Sequence, residues 1–384
     1  MVASSLKDDE SGVLRTEGAG SGLLKASAVF GPNSSGKSYI VKAVQSLKIV
    51  VGSARPEGPM PEYIPFRLSK DCLDAPVELS IRVLKDGTVY EYSISYRSDG
   101  IVSESLRRKV GRRYEPVFVR GAGKEMMDPV VKERLTSTTA YLNIAPGFNY
   151  PVCNAVLQEI IGIMIVYQSM DLFVQESYRY AMRDSEVKEM MRSGLDAADL
   201  VTGFVGEEHT ISGRRVKADD GTEIGVRPFT YAEIQLIHSF KDADVDQKML
   251  SFPLDIESAG TVEMFSLMGP VAKALKEGRT LIIDEFGVNL HPLLNRWIVG
   301  LFNYASNDNG AQLIVNTHDL CLMDIEEVFR RDQIWLTNKC RDTGACDVYS
   351  LADIKGVRKT TDVRKEYLMG RYDALPKIVG VRVL

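Results

Sequence analysis

The stretch Gly31-Pro32-Asn33-Ser34-Ser35-Gly36-Lys37-Ser38 decides the reading of this chain. It fits the pattern GxxxxGK[ST] and stands between the apolar run LLKASAVF (Leu23 to Phe30) and YIVKAVQSLKIV, which has helical periodicity. Strand, glycine-rich loop, helix is a phosphate cradle. The glycines let the backbone curl so that successive N–H groups face one anion. Lys37 adds a point charge, Ser38 a hydroxyl for Mg²⁺, and the helix N-terminus its dipole. Gly31, Pro32, Asn33, Ser34, Ser35, Gly36, Lys37, Ser38 and Tyr39 therefore form the candidate nucleotide-binding set, with ATP and Mg²⁺ as the expected ligands.

A phosphate loop needs a metal-side acid, and RTLIIDEF supplies one: Leu281 to Ile283 reads as a buried strand ending in Asp284, placed to support Mg²⁺. Glu285 beside it can polarise an attacking water, so the pair points to hydrolysis rather than binding alone. Further on, AQLIVNTHD sets His318 just after another short buried strand, within reach of a γ-phosphate if the two strands are neighbours. His209 and His238, in β or helical contexts without evident partners, read as structural. Ahead of the acids, ESAGTVEMF (Glu257 to Phe265) is a small-residue turn opening a helix, with Ser258, Gly260 and Thr261 as donors for a phosphate. Since the chain has its own phosphate loop, the natural ligand of that turn is the nucleotide of a second subunit.

Around these motifs, 384 residues with 45% hydrophobic and 26% charged side chains describe ordinary globular domains. A net charge of -5 excludes a molecule that binds nucleic acid through its overall charge. The longest apolar stretch, Ile160 to Val166, is far short of the ~20 residues that span a bilayer. The first residues, MVASSLKDDESG, have neither the basic nor the apolar region of a signal peptide, and a cytoplasmic location is expected. The five cysteines form no CxxC pair and read as reduced thiols; Cys340 and Cys346 flank a turn.

From Pro76 to Val110 the pattern is a β-meander, VELSIRVL, TVYEYSISY and IVSESLRRKV separated by KDG and RSDG. Helical spacing dominates from Lys124 to Gly206, including VCNAVLQEIIGIMIVYQSM, and HTISGRRVKADDGTEIGV then returns to β structure. The expected organisation is an N-terminal ATPase half (1–123), a helical insertion (124–206) and a C-terminal ATPase half (207–384). The fold class is α/β, a mixed central sheet with a β-meander subdomain. The basic run LRRKVGRRYEPVFVR, from Arg107 to Arg113 with Tyr114 beyond, reads either as a solvated hairpin or as a nucleic-acid contact.

The order of phosphate loop, ESAGT turn, DE strand and NTHD resembles the ABC-type AAA ATPases of the OLD-like group, which includes bacterial abortive-infection and phage-defence ATPases. PFRLS (Pro65 to Ser69), the strand from Tyr90, DEFGVNLHP, RRDQIWL (Arg330 to Leu336) and KEYLMGRYDALP (Lys365 to Pro376) resemble blocks of the same group. The resemblance implies that Lys37 and Ser38 bind phosphate and Mg²⁺, Asp284 supports the metal, Glu285 is the general base and His318 senses the γ-phosphate. It also implies that Ser258 to Thr261 engage the ATP of a partner subunit in a homodimer, with Asn289 and His291 in the loop that meets that subunit. Two departures stand out. The first strand and turn with which related chains begin, ahead of LLKASAVF, are not evident after MVASSL, and no Gln occurs between Gln45 and Gln158 to supply the usual Q-loop ligand, a role left to the segment around Phe66.

Too little chain follows His318 for the metal-dependent nuclease domain of longer relatives, so a separately encoded effector, nuclease or toxin, is the expected partner. An SMC- or RecF-like DNA-repair ATPase is the competing reading, favoured by the basic hairpin but lacking heptad arms. A transporter subunit would carry an LSGGQ-like signature much closer to its phosphate loop.

Overall fold

The computed structural model describes residues 1–4, 11–15, 22–53, 60–121, 123, 125–167, 170–199, 201–217, 223–242, 245–304 and 307–376. Short strands β1 (Val13–Leu14) and β2 (Leu23–Leu24) lead into β3 (Ala26–Phe30), the phosphate loop and α1 (Lys37–Gly52). The meander comprises β4 (Val77–Lys85), β5 (Thr88–Arg97), β6 (Gly100–Val110) and β7 (Arg113–Arg120). Helices α2 (Pro129–Lys132), α3 (Tyr141–Ile144) and α4 (Pro151–Ile161), strand β8 (Met164–Val166), and helices α5 (Met170–Arg183) and α6 (Ser185–Ala197) follow. Then come β9 (Gly203–Lys217), β10 (Glu223–Asp242), β11 (Val245–Pro253), α7 (Ala259–Glu277), β12 (Thr280–Ile283), α8 (Pro292–Asn303) and β13 (Gln312–Asn316). The chain closes with β14 (Ile334–Lys339), β15 (Cys346–Ser350) and α9 (Val363–Leu368).

The central sheet runs β15-β14-β3-β13-β12-β8, parallel throughout except for β15. Every residue of β3 is buried, which is why that run is continuously apolar or small rather than alternating. The fold is thus α/β with a mixed central sheet. The meander β4-β5-β6-β7 and the sheet β11-β10-β9 are separate antiparallel layers. A second core joins the meander to α1, α3 and α4 through Leu47, Val50, Val51, Tyr92, Leu106, Phe118, Leu142 and Val156.

Four expectations need correction. The run VCNAVLQEIIGIMIVYQSM is not one helix, and the span 124–206 is not purely a helical insertion. It breaks at Gly162, where a Cβ would lie 2.7 Å from Gln158 O and 2.1 Å from Arg279 Nη1, and Met164–Val166 becomes the edge strand of the central sheet beside β12. A short apolar run satisfies a buried helix and a buried strand equally, so periodicity could not separate them. The meander has four strands rather than three, β7 pairing with β6 from Val110↔Arg113 to Glu104↔Arg120. A short strand does stand ahead of the LLKASAVF run: β1 pairs antiparallel with β2, and Val2 bridges Leu23. The HTISGRRVKADDGTEIGV stretch lies within the β9–β10 hairpin, its residues 218–222 falling outside the described residues. Finally, His238 does have a partner, its Nε2 lying 2.7 Å from Glu257 Oε1.

Helix α7 is buried on nearly every side and carries Pro270 in its interior. Proline has no N–H for the carbonyl of Ser266 four residues back. Ser177 of α5 fills that place, its Oγ donating to Ser266 O at 2.6 Å. Gly269 lets the helices approach, since a Cβ there would sit 2.5 Å from Ser177 Cα. No helix among the described residues is long and apolar enough to cross a membrane.

A candidate nucleotide site at the strand ends

The site assembles where β3, β13 and β12 end on one edge of the sheet. Gly31 (φ +154°) and Gly36 (φ +104°) hold backbone conformations that L side chains rarely adopt. A Cβ on Gly31 would also collide with Thr337 Oγ1 at 2.1 Å. The loop they shape closes on itself, Ser35 Oγ donating to Pro32 O at 2.7 Å. Lys37 is only 9% exposed and donates from Nζ to Gly31 O (2.7 Å) and Pro32 O (3.0 Å). Burial lowers its pKa, an effect opposed by the charges of Asp284 and Glu285.

Neighbouring strands bring in the acids. Asp284 N donates to Val166 O at 2.9 Å, locking the end of β12 against β8. Its Oδ1 accepts from Ser38 Oγ (3.2 Å) and Asn316 Nδ2 (2.8 Å), so loop serine, strand acid and the asparagine of NTHD form one cluster. Glu285 is exposed and adopts φ +56°, a left-handed backbone unusual for a non-glycine. It is held there because Phe286 N donates to Asn316 O (2.8 Å) and Thr317 Oγ1 donates to Phe286 O (2.9 Å). His318 stands at the rim; burial and then the Lys37 charge lower its pKa, with Glu285 opposing. A cleft of about 200 Å³ is lined by Asn33, Ser34, Gly36, Lys37, Ser38, Tyr39, Asp284, Glu285, Asn316, Thr317 and His318.

The donor set suits a hard cation. Asn316 Oδ1 is buried with no hydrogen-bond partner among the described residues, an open oxygen beside the Ser38 hydroxyl and the Asp284 carboxylate. Oxygen ligands next to a phosphate cradle are what Mg²⁺ takes, most of its shell coming from water and phosphate. Ser38 and Asp284 would hold it, and the ion would supply charge neutralisation at the phosphates. Cys340 and Cys346 offer no such set, and no cluster of three His, Cys, Asp or Glu exists among the described residues.

The ESAGT turn lies elsewhere. Ser258 caps α7, accepting from Thr261 N at 3.1 Å, and is exposed with Ala259, while Gly260 approaches Asn289 O. None of Ser258 to Thr261 lines the cleft. Asn289 is exposed and its N–H donates to Glu263 Oε2 (2.9 Å), tying the loop after the acids to α7. His291, also exposed, caps α8 by accepting from Leu293 N at 3.2 Å.

Residues 186–324 match the family model described as "AAA domain, putative AbiEii toxin, Type IV TA system". The OLD nuclease of Thermus scotoductus is 24% identical over 207 residues, 54% of this chain and 35% of that protein. Over those segments the chain is similar to AAA domains of the abortive-infection type and to the OLD nuclease. It matches about a third of the length of that curated relative. Among solved structures, the SMC head domain from Thermotoga maritima aligns over 86% of this chain and 91% of its own, at 16% identity and a TM-score of 0.39. The cbiO1 protein of Clostridium perfringens aligns over 80% and 73%, at 13% identity and a TM-score of 0.27.

The site has members that the sequence motifs did not single out. Asn316 and Thr317 sat unremarked inside NTHD. Tyr167, directly after β8, lines a small cavity with Glu263, Asp284, Glu285 and Asn289, and its hydroxyl bonds Gln45. The segment around Phe66 does not line the nucleotide cleft; Leu68 packs instead on Gly344 in the β14–β15 turn. The edge beside Asp284 belongs to β8, and Gln168, two residues past its end, lies outside the described residues. The RRDQ block is structural. Arg330 grips Asp332 through Nε (2.9 Å) and Nη2 (3.0 Å), and Ser4 donates to Asp332 from N and Oγ at 2.8 Å. Gln333 Nε2 donates to Ala26 O (2.8 Å) and Asn303 Oδ1 (2.9 Å). The C-terminal block caps the main core with Tyr367, Tyr372 and Ala374, Tyr367 OH donating to Ala374 O at 3.1 Å.

Proposed function

We propose that this chain hydrolyses ATP and closes into a homodimer around two nucleotides, and that closure gates a separately encoded nuclease or toxin in bacterial anti-phage defence. In this reading Lys37 and the loop N–H groups bind the phosphates, and Ser38 and Asp284 hold Mg²⁺. Glu285 takes the proton of the attacking water, and His318, kept neutral, meets the γ-phosphate. The observation that carries it is the division of the phosphate-facing groups. Loop, acids and histidine share one cleft, while Ser258 to Thr261 open a helix outside it, with Ser258 and Ala259 exposed. A second copy turned through two-fold symmetry would bring that turn over the γ-phosphate, completing two equal sites. The defence role draws support from the AbiEii and OLD descriptions of the relatives.

The test mixes two inactive variants. Lys37→Ala disables the loop and Ser258→Arg places a bulky charge where the partner's γ-phosphate would dock. A heterodimer built across subunits has one site with both lesions and one with neither, so hydrolysis should return on mixing. A site built within one chain would carry one lesion in every copy. No recovery, with heterodimers demonstrated by differential tagging, would refute the shared site.

A further inference from the structure

We propose that the β6–β7 hairpin binds the phosphate backbone of duplex nucleic acid, a site independent of the nucleotide reading above. Arg107, Lys109, Arg112 and Arg113 crowd its end, and none makes an ion pair among the described residues. Arg108 alone of the group is neutralised, by Glu115 at 3.3 Å. This concentration of charge sits on a chain whose net charge is -5, so it is local.

Geometry sets the partner. Pairing of β5 with β6 ends at Tyr90↔Arg108, whereas β6 and β7 continue to Val110↔Arg113. The last two pairs, Lys109↔Tyr114 and Val110↔Arg113, therefore form a short two-stranded tip, the kind of element that the duplex major groove admits, with Arg107 just behind it opposite Glu91. Arg107 and Lys109 fall on one face, about 6.8 Å apart along the strand, and Arg113 on the other, with Arg112 in the turn. Cations on both faces and at the tip can meet phosphates on both walls of a groove. Single-strand binding through base stacking is disfavoured, because the Tyr114 ring already has the Arg82 guanidinium over it at 5.7 Å. An acidic protein segment would need apolar anchors, and the hairpin end offers little for them: the Arg107 face carries Arg82, Glu91, Lys109, Tyr114 and Pro116, and the other face Val110 beside Arg113.

The test measures binding of a fluorescent 30-base-pair duplex by the full chain without nucleotide, from about 50 to 200 mM salt. Four neutralised phosphates give a log–log salt slope of about −3.6, roughly a hundredfold loss of affinity over that range. Arg107→Gln/Arg112→Gln/Arg113→Gln should weaken binding at least tenfold and flatten the slope by about 3. Arg112→Gln alone, in the turn, should flatten it by about 1 and keeps the test valid if the triple variant misfolds. A charge-matched control, Lys355→Gln/Arg358→Gln/Lys359→Gln, should bind as the parent does. An unchanged slope in the hairpin variants, an equal loss in the control, no binding by the parent at 50 mM salt, or equal competition by polyglutamate would each overturn the proposal. ATP binding by the same samples reports separately on the nucleotide site.

Discussion

Lys37 is not a solvated cation awaiting its ligand. Its ammonium rests on the carbonyl oxygens of Gly31 and Pro32, so phosphate must compete with those bonds for it. Lys37→Ala should abolish ATP binding in an equilibrium titration while the melting temperature stays within a few degrees of the parent; undiminished affinity would move the phosphate cation elsewhere. Glu285→Gln keeps the shape of the carboxylate and loses its basicity. Hydrolysis should fall by ~10²-fold or more with ATP still bound. Asp332 is a different kind of acid. Burial alone would raise its pKa, but the Arg330 guanidinium and the two Ser4 donors outweigh that and hold it below the ordinary aspartate value. An unfolded aspartate binds its proton first, near pH 4, so the stability that Asp332 contributes is full above that and is lost as pH falls through the lower folded value. Asp332→Asn should flatten this acid limb in urea melts. At neutral pH it should cost about 3–5 kcal/mol, because the buried Arg330 guanidinium loses the carboxylate that it grips through two nitrogens. A parent-like acid limb in the variant would assign the acid sensitivity to other carboxylates.

Among the elements, α7 links the exposed ESAGT turn to the buried core, and Pro270 sits in the middle of it. If Ser177 replaces the donor that proline lacks, Ser177→Ala should cost about 1–3 kcal/mol, the price of an unsatisfied buried carbonyl. In a Pro270→Ala background the helix supplies its own N–H and the same change should cost less. A double-mutant cycle measures the difference, and strict additivity would show that the two sites do not share that carbonyl. The meander is coupled to the phosphate-loop helix in a comparable way. Leu47, Val50 and Val51 of α1 share one core with Tyr92, Leu106 and Phe118, so the basic hairpin and the nucleotide cleft are borne by one packed unit.

For the whole molecule, the exposed Ser258 turn and the separate cleft predict a monomer that pairs only when ATP is present and unspent. Glu285→Gln should migrate as a dimer in light scattering with ATP and Mg²⁺ and as a monomer without. Adding Ser258→Arg should leave it monomeric with ATP still bound at each cleft. A nucleotide-independent dimer would point to an interface other than the ESAGT turn. The local chemistry of the site was legible in the sequence because it is local: GPNSSGKS is a loop running into a helix start, and RTLIIDEF and AQLIVNTHD each pack a strand and the polar residues after it into a few consecutive positions. What the chain alone could not fix was the identity of IIGIMIV, since an apolar run fits a buried strand or a buried helix until a neighbour is present. Only beside β12 does Met164–Val166 become the sheet edge that places Tyr167 near Asp284. The roles of Asn316, Ser177 and Asp332 were likewise undecided by sequence. Each is set by a partner far along the chain, Asp284, Ser266 and Ser4, and a hydrogen bond between distant residues exists only once the backbone has brought its two ends within 3 Å or so.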